Sequence, residues 1–202
     1  MSSGVLVENI NLFDLINGVF IIGSQQINLY ISNIEEFNTP YPIDIEQFVS
    51  NSYGSGDVIT KTPESIDIQW GPNTASHGIV YPEVLSIDAS TKYLMVSYKS
   101  SGTVRPYPFV RDGSNNLIYW ICGPTKSRLL YKKIECDPSD PTGQILSHTY
   151  LIAIPDDPAV PVEEFKLYLL GKNIVEGETT RITDIKLTKV SSLPKITINI
   201  SI

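Results

Sequence analysis

The chain has 202 residues, 42% of them hydrophobic and 18% charged, and a formal net charge of -7. That balance excludes a disordered chain, which would be apolar-poor and charge-rich, and it excludes collagen-like and coiled-coil classes. A chain of this length buries roughly 70% of its unfolded surface, enough for a core without disulfides or metal.

Residue choice points to β structure. There are 27 Ile against 4 Ala, and 11 Tyr. Ala is the best helix former, whereas β-branched and aromatic side chains suit a pleated, half-buried surface. Charge is uneven: residues 1–60 hold seven acids (Glu8, Asp14, Glu35, Glu36, Asp44, Glu46 and Asp57) and no Lys or Arg, and 15 charges of each sign follow. The net charge therefore sits in the first 60 residues, as a surface suited to a basic neighbour. No basic footprint of the kind nucleic-acid binding needs is visible.

In chain order, residues 4–10 and 19–31 read as strands around a short helix over 12–16, capped by Asn11 and stopped by Asn17-Gly18. Met1-Ser2-Ser3-Gly4 has no basic n-region, and the apolar stretch that follows is broken by Glu8, Asn9, Asn11, Asp14 and Asn17. The expectation is synthesis in a cytoplasm, with no signal peptide or membrane insertion. Asp44 caps a second short helix through Val49, with Gln47 in the capping-box position. The Gly/Ser-rich loop over 50–57 is the best boundary. The expected organisation is one β-rich domain over 1–202, with the acidic segment 1–57 able to form a docking subdomain.

Strand signals then sharpen. Residues 65–70 alternate strictly and put Ile66, Ile68 and Trp70 on one face. Residues 93–98, 117–122, 128–135 and 145–154 read as strands, and 112–116 as a turn between 104–110 and 117–122. A hairpin turning at 123–127 would set Cys122 near Arg128 and Cys136 near Ser114, which argues against a disulfide within it; the expectation for the pair is two buried free thiols. Pro161-Val162-Glu163-Glu164-Phe165 opens like a helix, although 166–170 would also serve as a strand; the sequence favours a short helix. At the end, Ile196, Ile198, Ile200 and Ile202 alternate with polar residues. The expected fold is all-β, a β-sandwich or jelly-roll-like pair of antiparallel sheets with one to three short helices.

Chemistry-bearing residues are sparse. His148 lies in an apolar strand and reads as a hydrogen-bonded core histidine. His77 follows Ser76 in a small-residue loop, but no G-x-S-x-G elbow supports a Ser–His pair. No H-E-x-x-H, C-x-x-C or phosphate-loop pattern is present, so no cofactor or metal is expected. Asp137 and Asp140, in a loop over 137–143, read as turn residues without the ligand density of a calcium loop. Among Trp70, Tyr81, Tyr107, Tyr119 and Trp120, which could stack on sugar rings, Trp70 belongs to the core by parity. Tyr41, Tyr53 and Tyr107 read as loop residues available for contact.

A β-rich chain without a catalytic constellation is expected to bind or build. Its Ile-rich, Ala-poor make-up is similar in style to virion proteins of phages or archaeal viruses with AT-rich genomes, a likeness carried by composition and by no motif. It implies a non-enzymatic structural subunit of a viral particle: capsid-decorating, turret, collar or tail-associated. Such a subunit would act through other protein subunits, as a homo-oligomer or within a larger assembly. The residues expected at its contacts are Glu35, Glu36, Asp44, Glu46, Tyr53 and Tyr107. The alternatives are a glycan-binding β-sandwich module using loop Tyr and Asp residues, and a small hydrolase built on Ser76/His77 or the loop carboxylates.

Overall fold

In the computed structural model, the structure describes residues 19–22, 25–28, 38–51, 56–72, 77–120, 129–156 and 161–191. The strands are β1 (Val19–Ile22), β2 (Gln25–Asn28), β3 (Asn38–Tyr41), β4 (Val49–Ser50), β5 (Val58–Lys61), β6 (Ser65–Gln69), β7 (Gly78–Val80) and β8 (Leu85–Ser86). Then come β9 (Tyr93–Ser101), β10 (Tyr107–Asp112), β11 (Leu117–Tyr119), β12 (Leu129–Cys136), β13 (Leu146–Ala153), β14 (Glu164–Leu170) and β15 (Thr179–Val190). Every pairing among them is antiparallel.

Two sheets pack face to face, as an all-β sandwich. The larger runs β12-β13-β9-β15-β6-β5, with β3 also on β15; the smaller runs β11-β10-β14-β7-β4, with β8 also on β14. β1 and β2 form a separate hairpin within residues 19–31. A bulge between Thr183 and Lys186, with Asp184 at φ 53, divides β15. Its first part pairs with β6 and its second with β3, while β9 follows both parts.

The period of two decides which face each residue joins. β9 buries Leu94, Val96, Tyr98 and Ser100 in strict alternation. β6 buries Ile66 and Ile68 as the alternation predicts, and Trp70 follows them inward. The Trp70 indole Nε1–H donates to Thr180 Oγ1 at 2.9 Å, and Thr180 Oγ1 donates to the Val104 carbonyl at 3.0 Å. One core joins these groups to Phe48, Ile79, Phe165, Leu167 and Leu169 of the smaller sheet side. Residues 38–51 take part in both sheets, through β3 on β15 and β4 on β7.

Several expectations change. The segment after Pro161 is not a helix but strand β14, because Phe165, Leu167 and Leu169 alternate onto the core and are fully buried. The Asp44 helix shortens to a 3-10 turn at Ile45–Gln47, still capped by Asp44, whose Oδ1 accepts from Glu46 N at 2.9 Å. The expected hairpin between 117–122 and 128–135 is absent: β11 pairs with β10 and β12 with β13, so the chain changes sheets between them. Cys136 is exposed rather than buried. The 112–116 turn does form, closing β10 onto β11 with Asn115 at φ 68. The expectations for residues 4–10, the 12–16 helix, Cys122 and residues 196–202 fall outside the described residues. Among the described residues, no helix is long and apolar enough to cross a membrane.

Candidate functional site

The two faces of the smaller sheet differ in kind. On β14, Phe165, Leu167 and Leu169 point inward, which sends Tyr168 and Leu170 outward. On β10, the register sets Tyr107 opposite Leu170 and Phe109 opposite Tyr168. The outer face thus carries its own apolar cluster of Tyr107, Phe109 and Leu170, with Leu117, Trp120 and Tyr168 packed against it. An outer face would ordinarily be polar.

This cluster lines a groove of about 410 Å³ whose rim includes Asn51, Arg111 and Asn115. Phe109 is its centre: Tyr168 meets it edge-on at 5.4 Å, and Trp120 at 6.5 Å. The Arg111 guanidinium lies 5.0 Å from the Phe109 ring centroid and donates to the Asn115 carbonyl at 2.6 Å. Its position is therefore set by both a ring and a turn. Trp120 Nε1–H donates to the Tyr107 phenol oxygen, Oη, at 3.4 Å. Flat apolar rings with a few fixed polar groups at the margin are the kind of surface on which an amphipathic ring can stack.

Among the expected contact residues that are described, Tyr107 lines this groove, as does Trp120, one of the aromatics read as able to stack on a sugar ring. Tyr107 lies in strand β10 rather than a loop, and only 9% of it is exposed. The flanking prolines suggested a loop. Over Tyr107–Phe109, however, β10 pairs with β14 alone among the described residues, so a strand residue without an N–H is tolerated at Pro108. Tyr41 likewise sits in a strand, β3. Asp44 and Glu46 are exposed on the 3-10 turn, away from the groove lining. The Glu46 carbonyl and, at 3.0 Å, the Phe48 carbonyl accept from Lys61 Nζ. Glu35, Glu36, Tyr53 and Ser76 lie outside the described residues. Sequence reasoning missed Phe109, Arg111 and Tyr168 as groove residues. The alternation of β14 carries a signal for Tyr168 alone; Phe109 and Arg111 join it through the β10–β14 register.

The two histidines have separate surroundings. His77 is buried, and its Nδ1 meets Asp57 Oδ1 at 2.7 Å. Asp57 also accepts from Gly71 N at 2.9 Å and Gly78 N at 3.2 Å. The carboxylate thus ties the entry of β5 to the entry of β7. His148 is buried, stacked on Tyr98 at 4.6 Å with the Tyr150 ring beside both, and its Nε2 shares a hydrogen bond with Ser100 Oγ at 2.7 Å. Desolvation, then the charges of Arg105 and Lys132, lowers its pKa to about 4.

Loop carboxylates are engaged by their own turns. Asp137 accepts from Ser139 N at 2.8 Å and from Lys99 Nζ at 3.0 Å. Asp140 accepts from the backbone of Thr142, Gln144 and Ile145. Hydrogen bonds from Ser139, then Lys99, hold the Asp137 pKa at about 2.

No protein-family model matches the chain, and no curated protein matches it significantly.

Proposed function

We propose that this chain is a non-enzymatic glycan-binding module whose ligand lies on the outer face of the smaller sheet. The observation that supports it is the group of four rings, Tyr107, Phe109, Trp120 and Tyr168, gathered on a face that has no place in the sandwich core. A pyranose ring has apolar C–H faces and a rim of hydroxyls. Rings stack on the first, and Arg111 and the Asn115 turn suit the second. The test is binding to a panel of immobilised oligosaccharides. Trp120→Ala and Tyr168→Ala are each expected to weaken binding about tenfold or more, with the melting midpoint little changed. Binding unaffected by both variants removes the reading.

A second reading, an assembly subunit of a viral particle, is favoured by the acidic first 60 residues and by the exposure of Asp44 and Glu46. The two readings are compatible, since a particle-borne subunit can display a glycan groove. Light scattering over a concentration series at two salt levels tests it: salt-sensitive oligomers are expected, and a strict monomer counts against self-assembly. Replacing Asp44 with Asn and Glu46 with Gln removes charge while leaving a side chain able to cap the turn. The double variant is expected to weaken docking.

A further inference from the structure

Beside the aromatic groove lies a second cavity of about 380 Å³, at the place where the β9–β10 connection crosses between the sheets. Tyr107 lines both cavities, so they adjoin. The second differs from the first in charge: Arg105, Lys132 and Lys172 all line it, and no acidic residue is among the described residues that do. Residues 61–202 hold equal numbers of acids and bases, so the gathering of basic residues at one cavity is a local concentration of positive charge.

The cations come from three parts of the fold. Arg105 is on the β9–β10 connection, Lys132 on β12 and Lys172 just after β14. Lys132 Nζ is held 5.9 Å from the Tyr150 ring centroid, and Lys132 lies directly opposite Tyr150 in the register. Neither Arg105 nor Lys132 forms an ion pair among the described residues. Both charges reach the same buried point, His148, and disfavour its protonation. Asn173, in the left-handed region at φ 55, adds an amide to the lining. Convergent cations around a concavity select an anion, and Arg and Lys together suit a carboxylate or sulfate.

We infer that this pocket receives the anionic substituent, carboxylate or sulfate, of an acidic glycan whose sugar ring rests on the adjoining aromatic groove. The inference rests on the groove being a glycan site. Tyr107 then stands at the junction, between the ring-stacking surface and the charge-reading one.

The experiment is a glycan array of matched neutral, sialylated, uronate-containing and sulfated oligosaccharides, read with wild type and three variants. Acidic members are expected to bind about tenfold or more tightly than their neutral partners, less so as salt rises. Arg105→Ala combined with Lys132→Ala is expected to erase that preference while neutral binding persists. Lys132→Arg should retain it, and Trp120→Ala should weaken acidic and neutral members alike. The carboxylate and sulfate members separate the two anion chemistries. Equal binding of neutral and acidic partners, or a preference that survives the double variant, overturns this inference and leaves the groove reading standing. Absence of binding by every member overturns both.

Discussion

Ser100 and His148 face each other inside the larger sheet, one on β9 and one on β13, with Oγ and Nε2 2.7 Å apart. His148 Nδ1 is buried without a hydrogen-bond partner among the described residues. The imidazole is therefore held as a neutral ring against Tyr98, and charging it requires ionising a group within the core.

Acid should act through that residue first. A His whose folded pKa is about 4, against about 6.5 unfolded, binds fewer protons in the folded state between those values. Stability then falls as pH drops from about 6.5 toward 4, by on the order of 3 kcal/mol in full. The depressed carboxylate of Asp137 acts lower, since its contribution is lost only as pH falls from the unfolded value toward about 2. His148→Phe keeps the stacking and removes the proton site. It is expected to lower stability at pH 7.5 by about 1–2 kcal/mol, for the orphaned Ser100 hydroxyl, and to flatten the decline between pH 6.5 and 4.5. Urea titrations of both proteins across that range check it; parallel declines would reject His148 as the source.

The Asp57–His77 pair carries a different load. The Asp57 carboxylate is fully buried and accepts from the His77 ring and from two glycine amides. Asp57→Ala leaves three buried donors without their acceptor, and each orphan costs about 1–3 kcal/mol. A loss of roughly 3 kcal/mol or more in unfolding free energy is expected. Asp57→Asn should be intermediate, because its amide keeps one acceptor oxygen but aims an NH2 at other donors. Chemical denaturation of both variants measures the order, which the opposite ranking would refute.

Gly78, next to His77, is a glycine for two reasons. Its φ of +129 lies where L side chains rarely go, and a Cβ there would stand 2.2 Å from the Leu169 carbonyl oxygen on β14. Gly177 has a φ of +82 and no atom within 4 Å of the same built position. Gly177→Ala should therefore cost only backbone strain, about 1–2 kcal/mol. Gly78→Ala must also push β7 off β14, and is expected to prevent folding or to cost well over twice as much. Comparing soluble yield and melting midpoint of the two variants tests the assignment.

Much of the sandwich was legible because period-two patterns were clean. Ile66, Ile68 and Trp70 went where their parity put them, and the Asp112–Asn116 turn closed where its residues allowed. Local signals misled where tertiary pairing overrode them. Pro161 and the acids after it resemble a helix start, yet Phe165, Leu167 and Leu169 had a core face waiting. Prolines around Tyr107 resemble a loop, yet β14 supplied a partner on one side. The groove was illegible for a related reason. Its rings come from β10, β14 and the end of β11, and only the register between strands brings Phe109 beside Tyr168. The Asp57–His77 contact, 20 residues apart, depends likewise on how β5 and β7 enter separate sheets.

Cys136 ends β12, opposite Leu146 of β13, and is exposed. Exposure makes a free thiol accessible to an alkylating reagent without unfolding. Native protein treated with a maleimide should acquire an adduct that peptide mapping places at Cys136, and Cys136→Ser should lack it. Because the side chain fills no core space, that variant should shift the melting midpoint little. Protection of Cys136 until denaturant is added would overturn its exposed placement at the end of β12.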